Sequence, residues 1–188
     1  MRLSTETLAQ VPAAVARPAY DRAAVKAGVV HLGIGAFHRA HQAAVFEAAL
    51  ASGDLRWGVI GVSLRSASVR DQMTPQDGLY TLLVRDGEKQ TPQIIGAVQR
   101  VLVAPEDREA VIAALASPDT HLVTLTITEK GYCLDRKTGR LMAENADVAA
   151  DLAGLERPRT AAGFLVAALA RRRAEGLAPL SILSCDNL

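Results

Sequence analysis

The sequence predicts an α/β fold, an open and mostly parallel sheet with inserted antiparallel hairpins. Two patterns and a length carry that expectation. A β-branched run meets a glycine-rich turn, a helical pattern and a second apolar run within about 35 residues, the span of a βαβ unit. Beyond it, strand-like runs alternate with helical patterns, as in an open α/β sheet. The chain has 188 residues. That length suits one domain, which buries roughly 70% of its unfolded surface without disulfides or metal.

The elements follow in chain order. Leu3, Leu8 and Val11 suggest a short helix, followed by an irregular lead-in around Pro12 and Pro18. Val29-Val30-His31-Leu32 forms the first strand and runs into Gly33 and Gly35. Ala40, Ala43, Ala44, Phe46, Ala48 and Leu50 give an amphipathic helix from Arg39 to Leu50, closed by Gly53. Trp57–Val62 is a second strand of buried type. Leu79–Val84 and Gln93–Val98 flank Asp86-Gly87, which reads as a hairpin. Pro105-Glu106-Asp107 opens a helix reaching about Leu115, with Pro and acids in its first turn. His121–Thr128 is a strand, and a second hairpin is expected around Asp135–Gly139. Helices at Val148–Leu155 and Ala161–Arg173 and a strand at Leu180–Leu183 complete the chain.

Composition narrows the function classes. There are 21 basic and 20 acidic side chains, a net charge of +1, and 4% aromatic residues. Neither a basic footprint nor stacking platforms are present, so nucleic acid is not an expected partner. No stretch approaches the roughly 20 apolar residues of a membrane span. The N-terminus has an early Glu6 and lacks the apolar run of a signal peptide. Cys133 and Cys185 match no metal or redox spacing and are expected to be buried, reduced thiols in a cytoplasmic protein.

The chemistry-bearing feature is the turn Gly33-Ile34-Gly35-Ala36-Phe37-His38-Arg39. Its two glycines match the first two of a dinucleotide fingerprint. The first permits the tight strand-to-helix turn, and the second lets the backbone approach a pyrophosphate seated on the following helix. His38 stands where the third glycine packs helix against strand, so the helix must sit further out or start differently. A carboxylate normally ends the second strand and takes the ribose hydroxyls. Ser63-Leu64-Arg65-Ser66-Ala67-Ser68-Val69-Arg70 has none. Arg65 and Arg70 either accommodate a 2′-phosphate or face solvent at a helix start, leaving NAD and NADP both open. Two later strands end in polar blocks, Thr126–Tyr132 and Ser184–Asn187. Three strand ends thus converge on one crevice, which favours a cofactor site over a structural turn and makes the sheet Rossmann-like and doubly wound.

Other polar residues carry less. His38 and His41 with Glu47 lack a third metal ligand at fixed spacing, so no metal is expected, and the histidines cap the turn or touch cofactor phosphates. His31 reads as a core histidine. Glu129 and Lys130 serve proton transfer or form an ion pair. A short-chain-type reductase would need Tyr-x-x-x-Lys, which Tyr20, Tyr80 and Tyr132 all lack.

Val30–Gln42 resembles the N-terminal signature of the polyol-specific long-chain dehydrogenase family, which includes mannitol 2-dehydrogenases and fructuronate reductases (mannonate oxidoreductases). The resemblance continues, in family order, through Gly61–Arg65, Gln76–Thr81, Thr126–Cys133 and Ser184–Leu188. It implies metal-free hydride transfer between a nicotinamide cofactor, NAD or NADP, and a linear polyol or sugar acid of the mannitol/fructose or mannonate/fructuronate type. The cofactor-binding set it implies, joined to the turn and strand ends, is Gly33, Ile34, Gly35, Ala36, Phe37, His38, Arg39, Arg65, Ser66, Thr128 and Glu129. Asn187 matches a family residue of the oxyanion hole, polarising the carbonyl oxygen. Ser66-Ala67 replace a carboxylate that favours NAD. The family's general-base lysine, a second asparagine and a histidine sit on a helical C-terminal domain that these residues do not include.

The expectation is therefore that residues 1–188 form one dinucleotide-binding domain, inactive in isolation, with an open crevice wall. The alternative is a non-catalytic nucleotide-binding or interaction module that self-associates through its truncated face.

Overall fold

Val29–Leu32 has no exposed residue, so this strand (β1) must lie inside the sheet with neighbours on both edges. The computed structural model, which describes residues 2–186, shows this arrangement. β1 pairs in parallel with β2 (Val59–Ser63) on one edge and with β6 (Leu122–Leu125) on the other. The strands β3 (Tyr80–Asp86) and β4 (Lys89–Ile95) form a separate antiparallel pair. With β5 (Val98–Val103) and β7 (Ser181–Ser184), the main sheet runs β5-β2-β1-β6-β7, every pairing parallel. The winding reverses between β1 and β6, where such sheets bind ligands outside the carboxyl ends of the strands.

Side chains alternate across the sheet and build two cores. Val30, Leu32, Ile60, Val62, Val123 and Leu125 face α4 (Arg108–Ala116) and α6 (Ala161–Ala174), with Phe164 fully buried among them. Val29, Val59, Val98 and Val101 face the other way. They meet α2 (Gln42–Ala51), α3 (Ser68–Met73) and Ile95.

Several elements differ from the sequence expectation. The N-terminal periodic patch makes one 3-10 turn, Leu8–Gln10, and no α-helix, because its three apolar residues bury nothing fully. The helix expected from Arg39 to Leu50 begins earlier, as α1 (Ala36–Ala40), and breaks at His41 before α2. β5 was not anticipated as a strand of its own, since Gln99-Arg100 interrupts its apolar run. Around Asp135–Gly139 there is one antiparallel bridge, Leu134 to Leu141, closing a turn rather than a ladder. Asp135 accepts from the Lys137 and Thr138 amides within it. Both cysteines are free but half-buried rather than buried, and burial pushes the Cys133 thiol up.

Near its other end, α5 (Ala146–Ala153) is capped by Asn145, whose side chain accepts from two first-turn amides. The β3–β4 hairpin turns through Gly87-Glu88. Buried Glu47 of α2 ties its base down by accepting from the Gly96 amide at 2.7 Å and from the Tyr20 hydroxyl at 2.9 Å. Among the described residues no helix is long and apolar enough to cross a membrane.

Candidate dinucleotide crevice

Gly33 leaves β1 with φ +98°, and a Cβ there would lie 2.2 Å from the Thr126 carbonyl oxygen. Only glycine lets the two strand ends approach this closely. Gly35 is different. Its backbone is extended, and a Cβ would meet nothing nearer than the Gly33 oxygen at 3.8 Å. Nothing inside the fold asks for glycine at 35, so the missing side chain leaves room in the crevice. Between them Ile34 is buried against Gly61 of β2, where a Cβ would sit 2.0 Å from Ile34 Cδ1.

Beneath the turn lies a polar network. Thr126 Oγ1 donates to the Gly33 oxygen at 2.9 Å and lies 2.9 Å from His31 Nε2. Its proton being used, Thr126 accepts from Nε2–H, which leaves Nδ1 to accept from the Thr124 hydroxyl at 2.7 Å. Burial, and the neighbouring His38, push the His31 pKa down to about 2. The imidazole is therefore neutral, and its neutrality is what makes Nδ1 an acceptor for the Thr124 hydroxyl. His38 stacks on His31 with ring centroids 3.6 Å apart and bonds Gln42 through Nδ1. Burial pushes its pKa down to about 4, and its Nε2 has no hydrogen-bond partner.

The crevice, about 320 Å³, is lined by Gly33, Ile34, Gly35, Ser63 to Ser66, Ser68, Val69, Thr126 to Thr128 and Gly131. It brings together six of the sequence-derived cofactor residues: Gly33, Ile34, Gly35, Arg65, Ser66 and Thr128. Ala36 and Phe37 are exposed on α1 outside this lining, Phe37 tilted against His41. Arg39 folds back, its Nε donating to the Gly35 oxygen at 3.3 Å. The His38 side chain is in the core, so its ring does not reach for phosphates, and it diverges from His41 rather than sharing a face. Glu129 pairs with Arg136, not with Lys130, at an exposed position. Arg70 is held by Asp71 and Glu106, whereas Arg65 has no acidic partner among the described residues. Among those residues no cluster of three or more His, Cys, Asp or Glu is placed to hold a metal. Asn187 lies outside the described residues.

Asp186 and Tyr132 were missed as individual site residues, although both lie in the strand-end blocks. Asp186 accepts from the Ile127 and Thr128 amides at 3.1 and 3.0 Å and from the Tyr132 hydroxyl at 2.8 Å. This clasp holds Thr128 at φ +64°, a strained conformation for a β-branched residue. It thereby fixes the rim of the crevice.

Residues 27–188 match the family model described as the mannitol dehydrogenase Rossmann domain. The mannitol 2-dehydrogenase of Pyrenophora tritici-repentis is 46% identical over 93% of this chain and 31% of its own length. That of Pyricularia oryzae is 44% identical over all of this chain and 39% of its own length. The solved ternary complex of Pseudomonas fluorescens mannitol 2-dehydrogenase with NAD and D-mannitol matches the whole chain with a TM-score of 0.94 and 41% identity, covering 39% of that structure. A substrate-free D-sorbitol dehydrogenase matches with a TM-score of 0.94 and 38% identity, over 40% of its length. The chain thus spans between about a third and two fifths of the relatives it matches.

Proposed function

The chain belongs to the mannitol dehydrogenase family, and from that premise we propose that residues 1–188 form one dinucleotide-binding domain serving polyol oxidoreduction. Gly35 carries this reading: a glycine that neither backbone nor packing demands, on the floor of a crevice at the point where the strand order reverses. The residues fit a nicotinamide dinucleotide. Gly33 and Gly35 leave space for its diphosphate, Ser66 and Arg65 face its adenosine ribose, and Thr128 lies at the opposite rim. When bound, the cofactor supplies a hydride acceptor or donor.

The substrate is a linear polyol or its ketose, favoured over a sugar acid because the relatives named above are mannitol and sorbitol dehydrogenases. Asn187 would polarise the substrate oxygen, following Asp186 of the clasp. Among the described residues the crevice lining includes no His, Lys, Asp or Glu. The 188-residue chain by itself is expected to bind the cofactor and turn over no polyol, because oxidation of an alcohol also needs a group that takes its proton.

Calorimetric titration of this chain with NADH and NADPH tests the reading. Gly35→Val should melt like the parent and bind at least about tenfold more weakly. Failure of the parent to bind either dinucleotide, or unchanged binding by Gly35→Val, would refute it. A second reading, an interaction module, rests on β7. This edge strand has all four residues exposed, Ile182 and Leu183 among them, and can pair with a second copy. Sedimentation velocity separates the two: a dinucleotide-binding monomer at every concentration disposes of the module.

A further inference from the structure

Arg65 belongs to two walls. On one side it lines the crevice, and on the other it lines a larger cavity of about 590 Å³. Arg108, Arg157 and Arg159 also line that cavity, against a single acid, Asp147. Four positive charges thus face one negative charge, in a chain whose whole net charge is +1. Asp147 is spent on Arg159, 3.5 Å away. Arg108 donates to the main-chain oxygens of Pro105 at 2.7 Å and Pro158 at 3.3 Å, neutral acceptors that leave its charge uncompensated. Arg65 and Arg157 have no acidic partner among the described residues.

Such a concentration of like charge is costly unless an anion offsets it. Guanidinium groups match a phosphate monoester through paired N–H donors. Leu64 and Pro105 add apolar wall beside the charge, which suits a base attached to a phosphorylated sugar. The position matters as much as the charge. The cavity opens beside Arg65 at the end of β2, where a dinucleotide fold presents its ribose ligand and where this chain has no carboxylate.

We infer that this cavity receives the 2′-phosphate of the adenosine ribose, so that the domain prefers NADPH to NADH. The inference rests on the dinucleotide reading of the crevice. It sets this chain apart from the solved relative whose complex contains NAD.

The test is calorimetric titration of the 188-residue chain with NADPH, NADH, 2′,5′-ADP, 5′-ADP and inorganic phosphate. NADPH is expected to bind at least about tenfold more tightly than NADH, and 2′,5′-ADP to exceed 5′-ADP similarly. Arg65→Ala and Arg157→Ala, both at exposed positions whose folding is checked by thermal melting, should each shrink the NADPH:NADH ratio. NADH binding should barely change in Arg157→Ala. NADH binding as tightly as NADPH, or a ratio unmoved by either substitution, would overturn the inference while leaving the dinucleotide reading intact. Inorganic phosphate binding as tightly as 2′,5′-ADP would overturn it in favour of a free-phosphate site. Binding of neither dinucleotide would remove the underlying reading and the inference with it.

Discussion

Three side chains at and beneath the turn show how much of the crevice is set by buried neighbours. His31 orders Thr126, Thr126 holds the Gly33 oxygen, and His38 covers His31 in place of the close helix contact that a third glycine would give. The missing glycine was legible in the sequence, and so was a core role for His31. That the ring of His38 fills the gap was not, because three-residue spacing on a short helix fits an outward ring equally well. Both imidazoles are neutral in the folded chain, while the unfolded chain takes up protons below about pH 6.5. Their contribution to stability is full above that pH and is lost as pH falls toward about 4 for His38 and about 2 for His31. Each adds a slope of up to about 1.4 kcal/mol per pH unit. Melting temperature should therefore fall steadily from pH 7 to 5. His38→Phe, which keeps the stack and cannot titrate, should show a clearly shallower fall. A flat profile for the parent would refute the assignment.

At the scale of elements, the strand–turn–helix–strand opening was legible because Val29–Leu32 and Val59–Val62 are apolar throughout and the glycines punctuate them. The helix break was hidden, since Ala40 to Leu50 has the composition of an unbroken helix and no residue in it marks the interruption at His41. β5 was hidden as well. It is an edge strand, and its Gln99 and Arg100 are not fully buried. The clasp between the ends of β6 and β7 was half legible, as two polar blocks whose connection no spacing reveals. Asp186→Ala removes the acceptor for two amides and one hydroxyl, at a cost of about 1–3 kcal/mol by the usual penalty for unsatisfied groups. Denaturant melts should register that loss. Amide exchange at Ile127 and Thr128 should accelerate before exchange in β1 does, and uniform acceleration across the sheet would show that Asp186 supports the whole fold rather than the rim.

For the molecule as a whole, the doubly wound architecture followed from the alternation of strand and helix patterns, and the two cores show why it is stable. A parallel sheet buried on both faces needs a helical layer on each. The arginine cavity could not be read from sequence, because Arg65, Arg108, Arg157 and Arg159 are spread over the later two thirds of the chain and only the fold collects them. The same scattering governs the turn. Gly33 leaves β1 early, but the threonine that grips its carbonyl comes 93 residues later. On a ribosome the glycine loop emerges long before its floor, and until β6 has docked it is a loop beside a half-built sheet. On the dinucleotide reading, ligand capture by this chain would report the moment at which β6 joins the sheet. Stalled nascent chains exposing only β1 to β5 should leave NADPH fluorescence unchanged, and chains exposing all 188 residues should shift it.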